Sequence, residues 1–173
     1  MSQVVAVARA AGHHFSKPTC PEITLVAALG VEGDAHAGAT VKHRSRVQRD
    51  ATIPNLRQVH LIQAELLDEL DLEPGVLGEN VTTTGIDLFN QSAGTALRLG
   101  DGAVVELTGY RTPCVQIERY RKDLMSRVMG YDSGGAAVLR AGVMAVVRAG
   151  GTVRAGDAVH VEAPAVFVPM HRV

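Results

Sequence analysis

Short apolar runs, each closed by glycine within a few residues, recur along this chain and limit it to folds built from many short strands. Residues 95–99 alternate polar and apolar, Gly100-Asp101-Gly102 follows, and residues 104–107 return. Period-two alternation fits a half-buried strand, and a Gly-rich turn between two such runs is a hairpin signal. Residues 143–147 and 159–162 repeat the pattern around the Gly-rich segment 150–157. Residues 4–8 and 23–29 read as further strands, with a polar, Pro-containing loop over residues 13–21 between them. Residues 55–62 read as a short strand feeding a helix at about 63–70, where Ile62, Leu66, Leu67 and Leu70 recur at helical spacing and Pro74-Gly75 ends the run. Residues 77–81 lead into a Thr-rich run. Ile117, Tyr120, Leu124 and Val128 give a second helical stripe over residues 116–129. Many short strands with Gly turns and few helices predict a mainly β fold, a small β-barrel with a few flanking helices.

Composition narrows the function. The 173 residues suit one domain and bury about 70% of their unfolded surface on folding. Lys plus Arg number 17 against 18 for Asp plus Glu, so the basic excess of a dedicated nucleic-acid binder is missing. Aromatic residues make up 3%, too few for a base-stacking platform. No signal-like segment or apolar run of 18 residues occurs, which predicts a cytoplasmic protein with no membrane partner. Cys20 and Cys114 are then expected as free thiols, too few for a disulfide framework.

Cys114 is the leading chemical candidate. It sits in Tyr110-Arg111-Thr112-Pro113-Cys114, between a strand and a helix start, with Pro113 suited to the first helical position. The helix dipole and Arg111 both favour a thiolate there. Such a thiolate is a nucleophile, a persulfide carrier or a soft-metal ligand, and the plain alternative is a small buried hydrophobe. Gly33-Asp34-Ala35-His36-Ala37-Gly38 is the second candidate. Asp34 and His36 face one way on an extended segment, as an acid/base pair or metal ligands, or else Asp34 simply closes a turn. Arg57-Gln58 and Glu79-Asn80 are polar groups in apolar surroundings. Arg57 either grips an anion or pairs with Glu79. Arg44, Arg46 and Arg49 form a basic run that steers anions or is a solvated loop. Cys20, His13 and His14 read as surface residues. No P-loop, Gly-x-Ser-x-Gly elbow or Rossmann fingerprint is present.

In order, the segments Gly33–Gly38, Arg57-Gln58-Val59, Pro74–Asn80, Gly85, Leu97–Gly100, Arg111–Cys114, Gly142-Val143 and Gly150–Asp157 resemble the MOSC domain, named for the C-terminal domain of molybdenum-cofactor sulfurase. The resemblance covers about residues 26–161, so residues 1–173 are expected to form a single MOSC domain of the stand-alone bacterial type. It implies a β-barrel and molybdenum-cofactor (molybdopterin) chemistry. It implies a reductase of N-hydroxylated small molecules in which Cys114 ligates molybdenum, or a carrier that passes persulfide sulfur through Cys114. A non-catalytic binding module is the third reading. Carried onto this sequence, Asp34 and His36 join Cys114 as catalytic candidates. Gly33, Arg57, Gln58, Glu79, Asn80, Arg111 and Thr112 become candidates for holding the cofactor. The implied partners are an electron-transfer protein or a cysteine desulfurase. Some reductase relatives carry a further C-terminal helical region. Here the apolar segment 163–169 follows the last strand, and it is the candidate contact for a homodimer.

Overall fold

Buried and half-buried side chains alternate without a break through Ala103–Tyr110, the longest strand, so one face of it must line a core. The computed structural model describes residues 1–42, 50, 52–131 and 133–173. The basic run Arg44, Arg46 and Arg49 lies outside the described residues. The chain forms β1 (Gln3–Ala8), β2 (Thr19–Cys20), β3 (Glu22–Val26), β4 (Gly30–Val31), β5 (Val59–Gln63), α1 (Ala64–Leu70) and β6 (Val81–Thr84). A 3-10 turn at Leu88–Asn90 leads to β7 (Ala96–Leu99) and β8 (Ala103–Tyr110). Then come α2 (Val115–Tyr120), α3 (Leu124–Val128), β9 (Met129–Tyr131), β10 (Ala137–Leu139), β11 (Val143–Ala149), β12 (Gly151–Arg154) and β13 (Val159–Glu162). With 37% strand and 13% helix the fold is mainly β, as the alternation predicts.

Eight strands share one sheet in the order β13-β7-β8-β11-β5-β6-β1-β2. Within it only β5 and β6 run parallel, and α1 lies in the crossover that a parallel pair requires. The β7–β8 hairpin forms at the expected place. The second expected hairpin does not. β11 pairs with β5 and β8, β13 pairs with β7, and β12 leaves to join β3 and β4 in a separate sheet.

The expected β-barrel is also corrected: the sheet curls, but among the described residues it does not close into a barrel. β2 takes one edge of β1 at Val7 and Ala8, so only the first residues of β1 reach the far edge. There the bridge Gln3–Ala158 and three backbone bonds, Val4 N–H to the Asp157 carbonyl at 2.8 Å, Gly156 N–H to the Val4 carbonyl at 2.8 Å and Val159 N–H to the Ser2 carbonyl at 3.0 Å, stitch the ends together.

Two apolar clusters result. The larger fills the curled sheet with Leu61, Leu97, Leu99, Val105, Leu107 and Val143 among others. The smaller joins Ile62 of β5 to Leu66, Leu67 and Leu70 of α1 and to Ile117, Leu124 and Val128. Alternation in β5 therefore turns Leu61 to the sheet core and Ile62, with His60, to the other face. The predicted helical stripe 116–129 splits at Asp123, which takes a left-handed φ of 65°, and leaves Tyr120 exposed.

Gly75 fixes the β1–β2 loop against the turn before β6. Its φ is +88°, an added Cβ would lie 2.2 Å from the Lys17 carbonyl oxygen, and its own carbonyl accepts the Lys17 N–H at 2.8 Å. Gly94 has a similar φ of +84° with no neighbour within 4 Å. Gly94→Ala is expected to cost about 1 kcal/mol through backbone strain, and Gly75→Ala about 3 kcal/mol or more because the Lys17 segment must also move. Urea denaturation midpoints of the two variants check this. Equal losses would show that the Lys17 contact carries no weight.

Candidate functional site

Asp34 organises the polar end of the fold. Its residue is 7% exposed, and both carboxylate oxygens are engaged. Oδ2 accepts from Lys17 Nζ at 2.8 Å, Asn80 Nδ2 at 3.0 Å and the Ala10 N–H at 3.3 Å. Oδ1 accepts the His36 N–H at 3.0 Å and lies 3.3 Å from His36 Nδ1. Burial alone would push this carboxyl up. The His36 hydrogen bond and the Lys17 charge outweigh it and hold Asp34 well below the ordinary carboxylate range. Burial lowers the Lys17 ammonium, and Asp34 opposes that shift.

Asn80 ties this pair to the sheet. Its Nδ2 also donates to the Ala8 carbonyl, and its Oδ1 accepts the His60 N–H at 3.1 Å. His60 is buried on the face of β5 opposite the sheet core. Burial, then the charges of Arg111 and Lys17, hold it well below its ordinary range, so it is neutral. Its Nε2 lies 2.9 Å from the Ala141 carbonyl oxygen. Arg111 extends from the end of β8, buried, with Nη1 donating to the same carbonyl at 3.4 Å. Burial lowers the guanidinium while nearby Cys114 and Glu79 act the other way.

Cys114 caps α2 and is half-buried, with Sγ 3.7 Å from Gln116 Oε1. Pro113 therefore sits before the cap, two residues ahead of the first helical position, Val115. Two cavities meet at Cys114. The inner one, about 100 Å³, is lined by Lys17, Arg57, His60, Arg111, Thr112 and Asn80 among others. The outer one, about 370 Å³, runs past His13, Val115 and Arg119. His14, His36, Cys114 and Gln116 line both. The His13 and His36 rings meet edge to face at 5.1 Å.

Of the candidates read from the sequence, His36, Arg57, Asn80, Arg111, Thr112 and Cys114 converge on the inner chamber. The other four sit elsewhere. Asp34 stands behind His36 and Lys17 as their counter-charge. Gly33 is an exposed turn residue at φ +74° beside the Arg9 side chain. Gln58 is buried and ties the Ala28 carbonyl to the Val147 N–H. Glu79 is buried, with Oε1 accepting the Gly75 N–H and Oε2 without a hydrogen-bond partner. Burial pushes its carboxyl up, opposed by the Gly75 N–H and by Arg111. Arg57 Nη1 donates to the Val173 backbone oxygen at 2.7 Å. Lys17 and His60 are chamber residues that the sequence reading passed over, and His14, read as a surface residue, is exposed and also lines the chamber.

Among the described residues no three His, Cys, Asp or Glu side chains form a group able to hold a metal ion. The metal-pair reading of Asp34 and His36 thus gains no third ligand. The chamber lining carries the cationic side chains of Lys17, Arg57 and Arg111 and, among the described residues, no Asp or Glu, which suits an anion.

The MOSC domain family model matches residues 32–160. The chain belongs to the MOSC-domain family. Its fold is similar to that of the YuaD protein from Bacillus subtilis, with a TM-score of 0.74, 23% identity, and 95% and 97% of the two chains covered. It is also similar to YiiM from Geobacillus stearothermophilus, with a TM-score of 0.67, 14% identity, and 98% and 80% covered. YiiM from Escherichia coli gives a TM-score of 0.59 and 21% identity over 98% and 73%. No curated protein matches this chain. No helix among the described residues is long and apolar enough to cross a membrane.

In this MOSC domain Asp34→Asn leaves the buried Lys17 without a counter-charge, at an expected cost of about 3–5 kcal/mol. Because the folded carboxyl is held below its unfolded value of 3.8, the stabilisation is fully present above that pH. It is lost as pH falls through the depressed folded value. Denaturation of both proteins across pH should show a constant gap at neutral pH that narrows under acid. A gap that widens under acid would contradict the assignment.

Proposed function

We propose that this MOSC domain binds the molybdenum cofactor and reduces N-hydroxylated compounds, with Cys114 as the protein's metal ligand. The observation that carries the reading is Cys114 at the junction of a small cationic chamber and a wider outer groove. The residues present fit the group. A thiolate is the soft donor molybdenum takes, and Lys17, Arg57 and Arg111 offer charge and N–H donors to a pterin phosphate. The inner chamber alone is too small for a pterin of several fused rings, so the outer groove would share the load. When bound, the cofactor supplies two-electron exchange at its metal.

This chain's own residues do the rest. Arg57 and Arg111 orient the anionic group, and Thr112 and Asn80 line its surroundings. Asp34 accepts from His36 Nδ1 and so directs Nε2 away from itself. Reduction of a hydroxylamine to an amine and water consumes two protons, and His36 is the residue proposed to hold one at Nε2. Electrons would come from a separate redox protein. Glu79 and Gln58 act as supports behind the chamber.

The half-exposed thiol on the outer groove also favours a second reading, sulfur carriage. There the Cys114 thiolate attacks the outer sulfur of a donor persulfide, gains that sulfur, and releases the donor as a thiolate, with a cysteine desulfurase as the natural donor.

Wild type and Cys114→Ser, both purified from a host that makes the cofactor, are expected to differ. Molybdenum and pterin should be stoichiometric in the first and lost from the second, by metal analysis and pterin fluorescence. Folded wild-type protein without metal from a cofactor-replete host would remove the reductase reading. A mass gain of one sulfur atom on Cys114 would then establish the carrier.

A further inference from the structure

We propose that the C-terminal strap over residues 168–173 is a positioning element of the anion chamber, holding Arg57 at its wall. The inference rests on the reading of the chamber as an anion site and adds the device that sets its geometry.

The strap is docked along its length. The Ala93 N–H donates to the Val168 carbonyl at 2.8 Å, and Ser92 Oγ accepts the Val168 N–H at the same distance. Met170 is 5% exposed and belongs to the larger core. Beyond it the backbone runs beside the end of β8. The Tyr110 N–H donates to the His171 carbonyl at 2.8 Å, and the Val173 N–H donates to the Tyr110 carbonyl at 3.2 Å. Arg172 bridges Tyr110 in parallel fashion. The approach is so close that a Cβ on Gly109 would lie 2.3 Å from the His171 carbonyl oxygen and 2.8 Å from Val173 Cγ1.

This docking ends on the chamber. Val173 presents its backbone oxygen to Arg57 Nη1 at 2.7 Å, and Arg57 lines the inner cavity. The other anchor of the strap, Tyr110, directly precedes Arg111. The strap thus touches one chamber arginine and is paired to the residue beside the second. Arg57 is a long, half-buried side chain with many rotamers, and a hydrogen bond to a fixed carbonyl removes most of them before a ligand arrives. The exposed segment 163–167 precedes the docked part, so its apolar residues are not what reaches the chamber.

The test reads the affinity of inorganic phosphate by calorimetry. Two variants displace the strap. One ends at Met170, which keeps the core contact, and the other is full-length Gly109→Ala, whose Cβ pushes His171 and Val173 aside. Each is expected to weaken phosphate binding about tenfold, the size of one hydrogen bond to a charged group. Neither should weaken it further in an Arg57→Ala background. Circular dichroism and denaturation midpoints confirm that each variant is folded. Unchanged affinity in both variants overturns the proposal. So does tighter binding, which would make the strap a competitor for Arg57. Absence of phosphate binding in the intact chain would instead remove the anion reading, and the positioning role with it.

Discussion

The Lys17–Asp34 pair holds the site together. It joins the loop between β1 and β2 to the Gly-rich loop after β4, and through Asn80 it reaches β1, β5 and the start of β6. Taking both charges out of water costs several kcal/mol per ion, and the attraction compensates only where the remaining hydrogen-bonding capacity is filled. Asp34 meets that condition with donors from Lys17, Asn80, Ala10 and His36. The chamber wall is therefore set by a satisfied polar network, which fixes direction better than apolar contact does. Both apolar clusters draw on β5, through Leu61 on one side and Ile62 on the other, and the polar chamber opens beside the same strand at His60.

How legible this was depends on the range of the interaction. The β7–β8 hairpin and α1 were readable because their signals are local: alternation around Gly100-Asp101-Gly102, and helical spacing ended by Pro74-Gly75. The split at Asp123 was hidden, since Leu124 and Val128 keep the apolar spacing across a break made by one left-handed residue. Sheet closure was not readable, because residues 150–157 look like a hairpin turn whichever sheet β12 joins. Cys114, Arg111 and His36 stood out by their local motifs, and the fold brings them to one chamber. Lys17 was missed because a lysine between prolines and histidines reads as a solvated loop, and only the distant Asp34 makes it a buried charge. His60 had a weak signal in the alternation of Val59–Gln63, two residues before the helix-facing Ile62. Gln58 was overread: a polar side chain in apolar surroundings needs a partner, and backbone groups of Ala28 and Val147 supply it.

The charge state of the chamber follows from burial more than from composition. The whole chain is nearly neutral, at −1. Inside, desolvation keeps His60 neutral and pushes Glu79 up, while Lys17 and Arg111, also lowered, start from values far above neutrality. The same physical effect thus opposes charge on Glu79 as well as on the cations. Three cationic side chains thus line one chamber of a nearly neutral chain.

The donor count at Cys114 separates kinds of metal chemistry. A bare ion such as zinc needs three or four protein ligands, and the described residues offer no such group. One thiol suffices where the metal arrives with ligands of its own, as a metal held by a dithiolene pterin does. One thiol also suffices for persulfide carriage, which needs access and a thiolate but no second ligand. The inner chamber distinguishes these two uses. A sulfur carrier needs only the outer groove, whereas Arg57, Arg111 and Lys17 behind the thiol would suit a ligand that carries negative charge beyond the reacting atom. Those cationic side chains are the physical argument for the proposed cofactor binding over carriage, because persulfide transfer at the thiol has no use for them.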